Sequence, residues 1–475
     1  MTNLKKKAYL GVFALAMMNV ATVMSLRGLP MMAEEGLTMF FYILFSSLLF
    51  LIPVSLVSAE LATGWPQTGG VYRWVKIAFG ARTGFVAIWL QWLQNVVWYP
   101  TVLSFAAGAL SYLFFDNTLA ENRFFNFAII VIVFWLATLV NFKGVKLAGK
   151  LTTIGVIGGT IIPGLLIISL GIIWWLSGNP LEFLKAAPGE TVTFLPNFSK
   201  FSTVAFLGGI ILLFAGMEVQ AVHVADMENP AKEYPKAIFI AMFIIIIIFT
   251  LGSLSISAVM PASDISLNAG IMQAFKELFT KFGIGWLLPV MGFLAAFGAL
   301  AGVLAWIAGP SKGLLATATD GDLPPFMAKV NKYGVQQNIL IIQGVIVTGL
   351  AFVFLIMPNV SSAYFVLSVL TVSPYLVMYL ILYATFIKLR YSQPDVKRAY
   401  MLPGGKVGMW LVGGIGTLAV LFAFIIGFFP PAQLEIGSPT FYVWFLISGV
   451  VVFVALPVII GRLKKPEWKS NAPSK

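Results

Sequence analysis

Residues 206–230 read FLGGIILLFAGMEVQAVHVADMENP. The stretch begins as an ordinary apolar membrane helix, but Gly216 and the carboxylate of Glu218 lie near its middle. A carboxylate at the centre of a bilayer costs ~2.5–3.5 kcal/mol on insertion scales, so it usually faces water, a buried partner or a pathway. Gly216 weakens the helix and exposes backbone groups, which a membrane tolerates only beside a cavity. The stretch therefore predicts a helix broken at the midplane, which is typical of substrate sites in transporters.

The composition places the rest of the chain in a membrane as well. Of 475 residues, 59% are hydrophobic and 10% are charged, and there are 41 Phe and 13 Trp. A soluble domain of this size would not carry so much apolar surface. Lysines 5–7 precede the first apolar run, but no small-residue cleavage site follows, so we expect an uncleaved N-terminus. The absence of cysteine excludes disulfides, thiol catalysis and cysteine metal sites.

Twelve apolar segments are long enough to cross a bilayer. They cover approximately residues 9–33, 39–62, 84–115, 124–142, 151–176, 203–225, 237–260, 287–316, 339–357, 363–387, 408–429 and 441–461. A cytoplasmic N-terminus leaves only six of the 30 Lys and Arg residues off the inner side: Arg27, Arg123, Lys185, Lys200, Lys276 and Lys281. This asymmetry predicts that both termini are cytoplasmic. The net charge of +12 then reflects topology and contact with anionic membrane lipids, and no nucleic-acid partner is expected.

The first span repeats the interruption of the sixth. Residues 19–30 read NVATVMSLRGLP, where polar residues, Gly28 and Pro30 break an apolar run. Breaks five spans apart suggest an inverted repeat, whose broken helices offer dipole ends to an anionic group such as an amino-acid carboxylate. We expect a single all-α transmembrane domain over 1–475. Its predicted parts are a first repeat at about 9–176, a second at about 203–387 and extra helices at about 408–461.

Two long outer connections lie near residues 177–202 and 261–286. In the second, apolar residues recur at helical spacing, which predicts an amphipathic helix lying on the surface. Those residues are Leu267, Ile271, Met272, Phe275, Leu278 and Phe279.

Four stretches resemble signatures of the amino acid–polyamine–organocation transporters. Residues 59–85 (AELATGWPQTGGVYRWVKIAFGARTGF) resemble the signature after helix two, and 216–238 (GMEVQAVHVADMENPAKEYPKAI) the helix-six signature. Residues 309–334 (GPSKGLLATATDGDLPPFMAKVNKYG) resemble the helix-eight exit, and 394–408 (PDVKRAYMLPGGKVG) follow in family order. Within this superfamily, HVADMENPAKEYP from 223, ISLNAGIMQAF from 265 and WIAGPSKG from 306 are similar to the bacterial glutamate:γ-aminobutyrate antiporter family.

The resemblance implies a 5+5 inverted repeat plus two helices, and an exchange of an amino acid for its decarboxylation product. By position, Phe214 resembles the aromatic gate of helix six, Glu218 its carboxylate and Trp306 the aromatic floor from helix eight. Gly302 stands where the family has an acidic residue, and Thr153 where it has a lysine inside helix five. A tyrosine in the family corresponds to Arg27. These differences leave the substrate pair open.

The predicted substrate site combines backbone and side chains. We expect backbone groups of the two breaks to hold the α-amino and carboxylate groups, because unwound segments present donors and acceptors where water competes poorly. Phe214 and Trp306 are expected to cover the substrate from its outer and inner sides. The predicted substrate-binding residues are Ala21, Thr22, Val23, Met24, Ser25, Arg27, Phe214, Ala215, Gly216, Met217, Glu218 and Trp306.

Several of these side chains have a second interpretation. Glu218 acts either in the site or gating network, or as a structural acid. Arg27 either snorkels to the outer interface or binds a substrate carboxylate, in which case it favours anionic substrates. His223 is interpreted as a hydrogen-bonding residue of the helix end, and it is also the side chain best suited to sense mild acid. Trp98 and Tyr99 are interpreted as core or interfacial aromatics, and Glu60 as part of an interfacial network.

Other function classes fit less well. The chain has one histidine, no HExxH and no phosphate-binding glycine loop, so we expect neither an enzyme, a metal site nor a cofactor. A channel would show repeated filter segments or charged rings. The sequence thus predicts a secondary amino acid transporter of the bacterial inner membrane, most simply an antiporter of glutamate:γ-aminobutyrate type. A proton-coupled symporter of neutral or aromatic amino acids is the alternative, and the oligomeric state, including a homo-oligomer, stays open.

Overall fold

The computed structural model describes residues 10–67, 69–114, 117–185, 192–199, 207, 210–211, 213–265, 270–357, 359–429 and 439–470. This part of the chain is built from helices and contains no β-strand. Nine helices within it are long and apolar enough to cross a membrane, judged by length and composition. The predicted all-α, multi-pass architecture is confirmed.

The helices follow the twelve predicted segments, which we number as spans 1 to 12. Span 1 consists of Val12–Val23 and Gly28–Ala33, and span 6 ends in the 3-10 helix Val219–Asp226. The remaining spans are Gly36–Gly64, Ala81–Ser111, Arg123–Asn141, Val145–Leu176, Pro230–Val259, Leu288–Thr319, Gln337–Ile356, Val360–Ser392, Gly405–Ile426 and Pro439–Arg462. The start of the sixth predicted segment, residues 203–206, 208, 209 and 212, lies outside the described residues.

Spans 1, 3 and 6 are absent from the nine apolar helices for a physical reason. Spans 1 and 6 are interrupted, and span 3 buries Gln91, Gln94 and Asn95 along one unbroken helix. Span 3 packs against spans 8 and 10. Polar side chains are tolerated there because protein and not lipid surrounds them. The spans least suited to lipid therefore form the centre of the bundle.

Span 5 approaches span 8 through its backbone. A π-helical turn, Ile157–Ile161, lies inside span 5. A Cβ atom at Gly159 would lie 2.2 Å from both the Gly298 nitrogen and the Leu294 oxygen of span 8. Only glycine fits such a contact, which brings span 8 close to the centre of the bundle.

The predicted amphipathic outer helix is present as Gly270–Lys281. Its apolar residues Ile271, Met272, Phe275, Leu278 and Phe279 are buried, while Leu267 lies outside the described residues. The helix packs against spans 7 and 8 and the second half of span 1. It therefore covers one end of the bundle, which we call the outer end after the predicted topology.

Buried charges join the opposite end, which we call the inner end. Glu60 of span 2 forms ion pairs with Arg390 of span 10 (2.6 Å) and with Arg398 of the following loop (3.4 Å). The Leu402 amide also donates to Glu60 at 2.8 Å. Glu60 therefore belongs to an interfacial network, as expected, and this network holds the loop after span 10 against span 2.

A second charged cluster follows span 8. Asp320 accepts hydrogen bonds from Tyr72 (2.8 Å), Arg73 (2.9 Å) and Lys76, all in the loop helix Val71–Phe79. The Tyr72 hydroxyl shares its proton with Asp322 at 3.1 Å, and Asp322 also pairs with Lys464 beyond span 12. Burial acts to raise the pKa of Asp320, but the bonds from Lys76 and Tyr72 and the charges of Arg73 and Lys76 outweigh it and hold this pKa below its usual value.

Asp320→Asn should lower the free energy of unfolding by roughly 1.5–3 kcal/mol at pH 7, because it removes the charge that these donors share. A group whose pKa is lowered by folding stabilises the protein above its unfolded pKa, and the stabilisation is lost as pH falls through the folded pKa. The difference from wild type should thus stay constant from pH 8 to 5 and shrink only below about pH 4. Thermal unfolding in detergent measures it. Asp395→Asn, at an exposed position, is the control, and an equal loss there would contradict the role of Asp320.

Candidate functional site

The two helix breaks face each other inside the bundle. Span 1 is non-helical over residues 24–27, and span 6 over residues 214–218. The Thr22 hydroxyl shares its single proton between the Asn19 carbonyl oxygen at 2.8 Å and the Gly216 carbonyl oxygen at 3.4 Å. Gly216 has a φ of 125°, a backbone conformation that favours glycine. The interruptions predicted from residue type are thus both present and in contact.

The break in span 1 begins later than its predicted binding segment. Ala21, Thr22 and Val23 still belong to the helix Val12–Val23, and only Met24 and Ser25 lie in the break. The last carbonyl groups of a helix have no partner within it. The Ala21 oxygen is therefore exposed at the helix end without unwinding, whereas the Thr22 oxygen has a partner in span 8.

Trp306 of span 8 lies against this helix end. Its indole Nε1 donates to the Thr22 carbonyl oxygen at 2.9 Å. Its ring centroid is 5.7 Å from that of Trp98 and 6.0 Å from that of Tyr375. A Cβ at Gly216 would lie 3.1 Å from the Trp306 ring. Trp306 thus lies between the helix end before the first break and the break of span 6, and Trp98, interpreted from sequence as a core aromatic, borders the same place.

Glu218 is fully buried and accepts three hydrogen bonds. Gln91 donates to it at 2.8 Å, Tyr375 at 2.6 Å and Tyr379 at 2.7 Å. A buried carboxylate needs such donors, since its unpaired charge would be very costly. The three bonds join the break of span 6 to spans 3 and 10. Glu218 is therefore satisfied by side chains of other spans.

Tyr379 connects this carboxylate to the break itself. Its hydroxyl accepts a hydrogen bond from the Gly216 amide at 2.8 Å while donating to Glu218. One of the backbone groups freed by the break thus has a side-chain partner, as a buried amide requires.

The other predicted residues near the breaks are buried among neighbouring spans. Phe214 is fully buried with its ring centroid 4.9 Å from that of Phe249 in span 7, and Ala215 and Met217 are also buried. Tyr99 packs on Phe134 of span 4, as its core interpretation requires. Among the described residues, the ring contact of Phe214 is with Phe249, and its gating role stays a prediction.

Arg27 points across the bundle rather than along its own span. Its Nη1 donates to the Thr101 hydroxyl of span 3 at 3.3 Å, and its guanidinium lies 5.3 Å from the centroid of the Tyr364 ring of span 10. The side chain is half-buried. Arg27 thus contacts the two spans that also hold Glu218.

The sequence analysis missed Gln91, Tyr375 and Tyr379. A signal for the tyrosines was present, because Tyr375, Tyr379 and Tyr383 recur every four residues and so share one face of span 10. Gln91 is a buried amide in a membrane helix, which by itself does not name its partner.

Known proteins with similar sequences agree with this architecture. The family model described as Amino acid permease matches residues 10–453. The chain is 42% identical over 456 residues to an uncharacterized transporter of Legionella pneumophila, covering 96% of this chain and 97% of that protein. It is 35% identical over 466 residues to a glutamate/gamma-aminobutyrate antiporter of Lactococcus lactis, covering 97% and 91%. A probable agmatine/putrescine antiporter of the same species is 25% identical, covering 90% of each chain.

The matched family spans the broken helices, the site between them and nearly all of the bundle. The relatives are transporters, which confirms the expectation of a transporter and not an enzyme. The chain belongs to the amino acid permease family of the amino acid–polyamine–organocation superfamily, as a multi-pass membrane protein.

Proposed function

We propose that this protein is an amino acid antiporter of glutamate:γ-aminobutyrate type that works by alternating access. The main support for an acidic substrate is Arg27. It is a half-buried cation inside a membrane span with no acidic partner among the described residues. A lone charge in this position is costly. A substrate carboxylate supplies the missing counter-charge, and guanidinium and carboxylate form strong paired hydrogen bonds.

The backbone at the breaks completes the proposed site. The carbonyl end of the first half of span 1 carries partial negative charge and suits a bound ammonium group. The proposed contacts are the backbone groups of 21–25 and 215–218, with Phe214 and Trp306 on either side. A Cβ atom at Gly302 of span 8 would lie 3.1 Å from the Ala21 oxygen, the one described atom of a neighbouring element within 4 Å. Glycine at this position therefore lets span 8 approach the Ala21 carbonyl closely.

The geometry also supports an exchange between two states. Spans 1 and 6 meet at their breaks, while spans 3, 8 and 10 hold them through Glu218 and Trp306. We assign residues 9–176 and 203–387 to two inverted repeats, with 408–461 as additional helices. The membrane is the bacterial inner membrane, with both termini in the cytoplasm. The names of the Lactococcus relatives and the 35% identity support the substrate pair.

Counterflow in proteoliposomes tests the proposal. Radiolabelled glutamate is placed outside, and γ-aminobutyrate, glutamate, other amino acids or buffer inside, at pH 5.5 and 7.5. Uptake that requires γ-aminobutyrate or glutamate inside supports the antiporter. Uptake into empty vesicles driven by a proton gradient would make the protein a symporter, and exchange of other amino acids alone would overturn the acidic substrate.

Arg27→Gln should raise the half-saturating concentration of glutamate about tenfold or more while changing that of a neutral exchanged amino acid less than twofold, because only the acidic side chain loses a charged partner. Competition against labelled substrate measures both. Arg27→Lys keeps the charge but not the fork of donors, so it should fall between. Arg123→Gln, at an exposed position near the outer end, is the control. Unchanged glutamate competition would show that Arg27 only anchors the span.

A further inference from the structure

Asp226 joins three spans at the inner end of span 6. Its backbone oxygen accepts a hydrogen bond from the Leu10 amide, just before span 1, at 2.8 Å. Its carboxylate accepts from Lys312 of span 8. Span 6 ends here, so the two broken spans and span 8 meet at one residue.

His223 lies within the same cluster. Its Nδ1 is 3.0 Å from the Asp226 carboxylate and 3.3 Å from the Lys312 ammonium. The imidazole is 1% exposed and its Nε2 has no partner, whereas the side chains of Lys312 and Asp226 are 20% and 26% exposed. Asp226 and Lys312 are the charged groups that act on His223. Of the elements that pack on Val219–Asp226, span 2 carries Glu60 and the loop helix carries Arg73 and Lys76, which are paired with Arg390 and Asp320. Span 7 carries Lys232, Glu233 and Lys236 in its first two turns.

The segment that this cluster closes is an unusual helix. Val219–Asp226 is a 3-10 helix of eight residues, whereas runs longer than three or four are uncommon and often mark hinges. The turn at Gly69 and Gly70 packs on it, since a Cβ at Gly70 would lie 2.9 Å from a Val222 methyl group. One turn above His223, the Gln220 side-chain oxygen is buried without a partner. Buried polar atoms of this kind normally contact water, which suits a pathway.

We propose that Lys312, Asp226 and His223 form the lock of the inner gate, in which the Lys312–Asp226 ion pair holds the 3-10 helix closed and protonation of His223 releases it. Protonation places a second cation 3.3 Å from Lys312, with a single carboxylate for both. The imidazolium and Lys312 then compete for the same Asp226 oxygen, which weakens the Lys312–Asp226 ion pair and lets the inner half of span 6 separate from span 8. This inference rests on the alternating-access part of the proposed function, but not on the substrate.

A cysteine reporter tests the lock without any substrate. The chain contains no cysteine, so Gln220→Cys introduces a single buried thiol above the cluster. A membrane-impermeant maleimide is applied to the inner face in inside-out vesicles. The labelling rate of Gln220→Cys is divided by that of Lys332→Cys, an exposed reference position, at the same pH. Asp226→Asn and Lys312→Gln should each raise the normalised rate about tenfold, since one charged bond then fails to hold the gate.

The pH arm isolates His223. From pH 7.5 to 5.0, the normalised rate should rise about fivefold with His223 present and stay constant in His223→Gln. Lys312→Arg keeps the charge and should retain slow labelling. The double variant Asp226→Lys with Lys312→Asp exchanges the two charges, so it should restore slow labelling if the single variants fold. Equal rates in all variants, or a pH response that survives His223→Gln, would overturn the lock. A failed glutamate counterflow with these rates intact would instead reject only the proposed substrate.

Discussion

Glu218→Ala should reduce exchange to background and lower thermal stability. The change removes the acceptor that Gln91, Tyr375 and Tyr379 share in a fully buried place. Each donor left without a partner costs about 1–3 kcal/mol. The break of span 6 also loses its links to spans 3 and 10. Counterflow and thermal unfolding of the purified protein measure the two effects.

Glu218→Gln removes the negative charge of the side chain but keeps its size and shape. The amide keeps one accepting oxygen, and a tyrosine hydroxyl can turn to accept from its nitrogen. We therefore expect this variant to fold, with an exchange rate between those of wild type and Glu218→Ala. Glu121→Ala, at an exposed acid, should change neither quantity. Full exchange in Glu218→Ala would show that the buried acid is not needed for transport.

Gly216→Ala should lower exchange about 100-fold, the effect of moving a binding group by about 1 Å. The φ of 125° is strained for any residue with a Cβ, at a cost of about 1–3 kcal/mol. The new methyl group would also lie 3.1 Å from the Trp306 ring and 3.2 Å from the Thr22 oxygen. Either the ring or the helix end must move. Initial rates of counterflow measure the loss, with protein quantity determined in the same vesicles.

Gly349→Ala is the matched control in span 9. A Cβ there meets nothing within 4 Å, and the residue lies inside the helix Gln337–Ala351. Alanine is a better helix former than glycine, so stability should be unchanged or slightly higher. Similar losses of exchange in both variants would mean that the effect of Gly216→Ala is not specific to the break.

Each break was predictable because its signal is local. Gly216 and Glu218 interrupt an apolar run, and so do the polar residues before Gly28, without reference to any other part of the chain. The position of the first break was less predictable. Its helix continues to Val23 because nothing in residues 21–23 forbids helical geometry.

The sequence by itself determined an all-helical membrane bundle, the spans and the two broken helices, because hydrophobicity and helix-breaking residues act over a few neighbouring positions. Only the tertiary structure decided which groups satisfy Glu218, that Trp98 lies on Trp306, and that Lys312 meets Asp226 and His223. These contacts join residues that are 86 to 208 positions apart in the chain. A buried polar group must find a partner somewhere, but its own sequence does not specify which span will supply it.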